Sequence, residues 1–188
     1  MDPGRITYMK IRMILGCVLT WLVTLGPPAH AREQVYMQAD DFVASAFGAR
    51  IPQAQALWIK QDLRRELADQ FGWQPGVRVR YWQQGTRTAW ILNEIGKDKP
   101  ITAGILVDSG RIEEVQVLVF RESRGWEIRY PAFTAQFVSA RLAADSDLSQ
   151  TIDGISGATL SVRAMKRMAR VALKLHEQTN LSTLARSP

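Results

Sequence analysis

Near the C-terminus the chain reads Thr151-Ile152-Asp153-Gly154-Ile155-Ser156-Gly157-Ala158-Thr159-Leu160-Ser161, two glycines and small side chains bracketing a hydroxyl. The residues that follow, from about Leu160 to Gln178, are spaced for a helix, with Val162, Met165, Met168, Ala172 and Leu175 on one side. Gly154 and Gly157 permit tight turns and a close approach of backbone to a ligand. The first N–H groups of the helix then point at whatever sits beside Thr159. Such a site suits a phosphate. The same pattern also serves as a Ser/Thr helix cap with glycines for the turn, and from Ser156-Gly157-Ala158-Thr159 alone both readings stay open.

Other redox chemistry is short of ligands. The 188 residues hold 24 Lys plus Arg against 18 Asp plus Glu, 46% hydrophobic residues and one cysteine, Cys17, with His30 and His176 as the two histidines. That composition excludes disorder, collagen and a disulfide framework. A thiolate or imidazole metal site needs three or four such ligands, and a c-type haem needs Cys-x-x-Cys-His. Redox chemistry here therefore requires an organic cofactor, and no metal ligands are assigned.

The chain start has the layout of a secretory signal peptide. Arg5, Lys10 and Arg12 precede the apolar stretch Met13 to Gly26, then Pro27-Pro28 and the small-residue site Ala29-His30-Ala31. The apolar run is shorter than the roughly 20 residues that span a bilayer. Residues 1–31 are expected to be removed, with Met1 or Met9 as the start and Cys17 inside the apolar stretch. An uncleaved anchor is the alternative. The remaining 157 residues keep 21 Lys plus Arg against 17 Asp plus Glu, a net +4, and only His176 of the redox ligands. Periplasmic localisation follows, with association at the inner membrane allowed by the modest positive charge, which also suits an acidic redox partner. No dense Lys/Arg cluster interleaved with aromatics marks a nucleic-acid surface.

The elements that must position the hydroxyl read as helices, then strands, then helices. Asp40-Asp41 caps a short helix ending at Gly48. After Pro52, the spacing of Ala56, Ile59, Leu63, Leu67 and Phe71 predicts a second helix closed by Gly72. From Gly76 the period becomes two. Val77 to Tyr81, Thr86 to Glu94, Ile101 to Val107 and Ile112 to Phe120 are four strands joined by short turns, with Asp108-Ser109-Gly110-Arg111 as a hairpin signal. Ala132 to Leu142 reads as a helix. The expected fold is α+β, an antiparallel meander flanked by helices. Residues 32–99 form an N-terminal helical segment and the first strands, 100–178 a second region, and 179–188 a frayed tail.

Asp153, Ser156, Gly157, Ala158, Thr159 and Ser161 together resemble the flavinylation motif of the FMN-binding domain family. That family includes the C subunit of the sodium-pumping NADH:quinone reductase and the G subunit of the Rnf electron-transport complex. The resemblance extends over about residues 100–176, through Gly104-Ile105, the Val115-Val117-Val119 strand, Glu122-Ser123 with Gly125, and Phe133 to Phe137 with Gln136. The chain departs from the family at Ser139-Ala140, where many relatives show Gly-Lys, and residues 32–100 have no assigned counterpart in those two subunits.

The resemblance implies that FMN is esterified through its phosphate to Thr159, at the N-terminus of the C-terminal helix. A separate exported flavin transferase would do this, with FAD as donor and magnesium. Ser156, Gly157, Ala158, Leu160, Ser161 and Asp153 would form the cradle and recognition sequence, and Glu122 and Ser123 the loop against the ring. Trp126, Tyr130 and Leu160 are candidate ring neighbours. Thr159 is then a modified residue and no residue is assigned a catalytic role. A tether prevents loss of FMN where free flavin is scarce. The expected function is an exported flavoprotein that relays electrons between partner proteins or to a membrane electron-transport complex, since no Rossmann fingerprint for a nicotinamide is present. The alternatives are a non-catalytic assembly subunit with a degenerate or non-covalent FMN site, and a small flavin reductase.

Overall fold

Alternating apolar residues are satisfied by a sheet with both faces covered, and that is what the computed structural model, which describes residues 33–184, contains. The expected leader, residues 1–31, lies outside the described residues. In chain order the elements are β1 (Gln34–Val35), α1 (Ala39–Phe47), β2 (Gln55–Trp58), α2 (Gln61–Asp69), β3 (Arg78–Gln84), β4 (Arg87–Ile95), β5 (Pro100–Asp108) and β6 (Arg111–Phe120). After a 3-10 turn at Trp126–Arg129 come α3 (Pro131–Thr134), a second 3-10 turn at Ala135–Phe137, and α4 (Thr159–Leu184). The fold is α+β. No described helix is long and apolar enough to cross a membrane.

The sheet has six strands in the order β1-β6-β5-β4-β3-β2, every neighbour antiparallel. Its central pair runs in unbroken register from Arg87 opposite Asp108 to Ile95 opposite Pro100. The β5–β6 turn places Ser109 and Gly110 at φ of 50° and 74°, the left-handed pair of a type I′ hairpin.

Two layers cover the two faces. Ile101, Ala103, Ile105 and Val107 of β5, with Trp90 and Leu92 of β4, join the larger core with Met165, Met168, Ala172 and Leu175 of α4. Leu106, Ala89, Leu118 and Trp82 form the other core with Phe42, Val43, Ala46 and Phe47 of α1. Gly104 lets α1 sit down on the sheet: a Cβ there would lie 2.6 Å from the Phe42 ring.

The second expected helix is shorter than its periodicity suggested. Gln55–Trp58 forms a strand because it pairs with Arg78–Tyr81 of β3, and only Gln61–Asp69 is helical. The expected four-strand meander thus gains an edge strand on each side, β1 and β2. The helix expected over 132–142 is also broken. Ser139 turns to φ 68°, and the Ser139 amide donates to the Ile112 carbonyl (2.8 Å) while the Ala140 carbonyl accepts from the Ile112 amide (2.9 Å), so sheet pairing captures the segment. Ser139 thus holds left-handed backbone without being a glycine. Ala140 is fully buried, so no charged contact of the kind a lysine makes arises there.

A buried polar cluster ties α4 to the sheet. His176 Nε2 accepts from the Gly110 amide (3.2 Å), which leaves Nδ1 to donate to Thr88 Oγ1 at 2.7 Å; Trp90 Nε1 also donates to that oxygen at 2.9 Å. The ring is therefore a neutral Nδ1–H tautomer, and burial pushes its pKa below the ordinary value, against the pull of Asp108. The last helix also continues beyond the end expected at Gln178.

Candidate functional site

Three segments far apart in sequence converge at the start of α4. The first is the helix N-terminus itself. Gly157 adopts φ 79°, the Ala158 amide donates to the Ile155 carbonyl (3.0 Å), and the Ala158 carbonyl accepts the first helical bond from Val162 (2.9 Å). Thr159, Leu160 and Ser161 follow as the first turn, whose amides have no partner within the helix. That turn carries no acidic side chain, so nothing there opposes a bound anion. Thr159 is exposed, whereas Ala158 and Ser161 are buried.

The second segment is the loop after β6. Gly125, at φ 86°, lies so close to α4 that a Cβ would meet Ser161 Oγ at 2.7 Å and the Ala158 methyl at 3.2 Å. Glycine is required there for both reasons, and the approach presses the Glu122–Gly125 loop against the helix. The third segment is the β4–β5 turn. Glu122, 8% exposed, accepts through Oε1 from the amides of Lys97 (2.5 Å), Asp98 (2.7 Å) and Lys99 (2.9 Å). One carboxylate oxygen thus clips that turn beside the loop.

Between these segments lies a cavity of about 520 Å³, within the ~300–1,000 Å³ typical of small-molecule sites. Glu122, Ser123, Gly157, Ala158, Thr159, Leu160 and Ser161 all line it, joined by Lys97 and Arg124. Seven of the nine residues singled out from the sequence therefore meet in one place. Ser156 lines a smaller adjoining cavity of about 230 Å³ with Arg124 and Trp126. Asp153 lines neither: its amide donates to Gln136 Oε1 at 2.7 Å, and the Gln150 side-chain amide donates to the Gln136 carbonyl. These glutamines fasten the approach to the motif rather than contributing to the cavity.

The expected ring neighbours divide. Leu160, 39% exposed, lines the large cavity and Trp126 the small one, while Tyr130 lines neither. Tyr130 instead meets Trp126 edge-on at 5.7 Å, and Arg129 stacks against Tyr36 (4.6 Å), Tyr130 (4.9 Å) and Trp126 (5.5 Å). Lys97 and Arg124 are the residues that sequence reasoning missed. Both lie in segments legible only as polar loops, and the bonds from Glu122 that bring one of them to the helix span more than 20 positions.

The arrangement can hold a small molecule with an anionic end. Left-handed glycines, unpaired helix amides and an exposed hydroxyl meet at one rim, while Leu160 and Ala158 supply apolar wall and Lys97 and Arg124 positive charge. These features fit a flavin mononucleotide, whose phosphate belongs at a helix N-terminus. Residues 96–174 match a family model described as FMN-binding domain. No curated protein matches the chain.

Proposed function

We propose that the chain is an exported electron-transfer flavoprotein with FMN joined by a phosphoester to Thr159, a reading supported by the match of residues 96–174 to a family model described as FMN-binding domain. The observation that carries this reading is the position of Thr159: an exposed hydroxyl on the first turn of α4, at the rim of the cavity. A hydroxyl is a weak nucleophile, and the one carboxylate lining the cavity, Glu122, is engaged by the three amides of the β4–β5 turn. A flavin transferase therefore supplies activation, with FAD as donor. The Thr159 Oγ–P bond forms as the P–O bond to the adenylate breaks, AMP leaves with that electron pair, and the hydroxyl proton passes to a base of the transferase.

When bound, FMN supplies one- or two-electron transfer. The protein's part is to hold it. Ala158 and Leu160 exclude water from one side, Lys97 and Arg124 set the local potential, and Glu122 keeps the turn bearing Lys97 in place. Partner proteins or a membrane electron-transport complex donate and accept the electrons. Export to the periplasm is supported by the basic start, the apolar stretch and Ala29-His30-Ala31.

The test is to co-express the chain with a flavin transferase, denature it fully, and measure fluorescence and intact mass. Wild-type protein should gain the mass of FMN less one water, Thr159→Ala should not, and the exposed Thr151→Ala should load normally. Colourless wild-type protein, or flavin retained on Thr159→Ala, overturns the linkage.

A further inference from the structure

Thr159 borders a second cavity that the flavin reading leaves unused. On the outer face of α4 a groove of about 380 Å³ is lined by Thr159, Arg163, Lys166, Arg167, Arg170 and Asp147, among others. Two of its cations are committed: Arg167 pairs with Glu94 at 2.8 Å, and Arg170 bonds the Ser146 carbonyl at 2.6 Å and approaches Asp147 at 3.7 Å. Arg163 and Lys166 make no ion pair among the described residues. Arg163 stands one turn after Thr159 and Lys166 two turns after it, on the same helix face. Helical side chains lean toward the N-terminus, so both reach back toward Thr159.

We propose that this groove is a phosphate subsite, in which Arg163 and Lys166 hold the non-bridging oxygens of the phosphate carried at Thr159. The proposal deepens the flavin assignment and rests on it for the identity of the phosphate. Thr159 is then a divide: the phosphate lies toward the cationic groove, and the ring toward the larger cavity on the other side. Arg124 and Lys97 line the larger cavity, and their charge would then face the ring. Arg163 is exposed and Lys166 half-buried, and no carboxylate among the described residues pairs with either, so both can give charge-assisted hydrogen bonds to a bound anion.

The experiment titrates inorganic phosphate into isotope-labelled, flavin-free protein at fixed ionic strength and follows amide shifts at Thr159, Leu160 and Arg163. Wild-type protein should bind saturably, R163Q/K166Q should bind roughly tenfold more weakly or worse, and R80Q, at an exposed position on β3 outside both cavities, should stay within about twofold of wild type. Thermal unfolding of each variant verifies that it is folded. Retention of binding in R163Q/K166Q, or no saturable binding to wild type, overturns the proposal. Failure of covalent loading would instead sink the flavin linkage, and it leaves the phosphate titration intact as a separate result.

Discussion

Glu122 shows what residue types reveal and what they withhold. The sequence placed it at the site, and it is there, but its carboxylate oxygen is occupied by three backbone amides of the β4–β5 turn. No periodicity announces a bond across that distance, so its anchoring role was not legible. Glu122→Ala should cost about 1–3 kcal/mol by removing the charged acceptor of three part-buried amide bonds, with Glu122→Gln milder, as measured by urea unfolding; both should lower flavin loading by loosening the Lys97 turn. Gly125 was legible as a loop glycine only. Its contact with Ser161 makes Gly125→Ala a two-fold fault, in backbone and in packing. We expect about 1–3 kcal/mol of destabilisation and a reduced yield of flavinylated protein by intact mass. Thr159→Ala, by contrast, removes the attachment point from an exposed position and should leave stability within about 0.5 kcal/mol.

At the scale of elements, the strands with strict alternation and short turns were legible because their signals are local. So was α1, with Asp40 and Asp41 in its first turn and Gly48 at its end, although no side chain caps it and the acids act on the helix dipole instead. Gln55–Trp58 was not, since four residues of a helical pattern are equally a strand once β3 offers an edge. The segment after Pro131 failed for the same reason: its helical preference lost to pairing with Ile112. The docking of α1 on the sheet gives a testable pair. Gly104→Ala drives a methyl into the Phe42 ring and should cost about 1–3 kcal/mol, and Phe42→Ala about 3–5 kcal/mol. Because the second removes the obstacle to the first, the double variant should lose clearly less than the sum in a denaturation cycle.

For the whole molecule, composition pointed to a borrowed redox group by leaving His176 as the sole histidine after the expected leader. The same histidine turns out to be structural, neutral and buried between α4 and the hairpin. Burial lowers its pKa from 6.5 in the folded state. Above about that value both states hold the ring neutral and full stability is present. As the pH falls through the 6.5 of the unfolded chain toward the depressed folded value, the unfolded chain gains a proton that the folded one refuses, and stability declines. Urea midpoints should therefore fall between pH 7.5 and pH 5, and the slope over that interval should flatten in His176→Gln. A pH-independent midpoint in the wild type would contradict the neutral ring.

The bond between His176 and Gly110 reaches further than acid sensitivity. Hairpin tips are ordinarily where amide protons exchange fastest and proteases cut first, because they open without disturbing anything else. Here the tip amide is held by the helix that begins at Thr159. The Gly110 proton should exchange on the timescale of the core strands rather than of loops, and the turn should resist nicking. The hairpin and the helix then open as one cooperative unit, so the segment that presents Thr159 is released only when the sheet behind it comes apart.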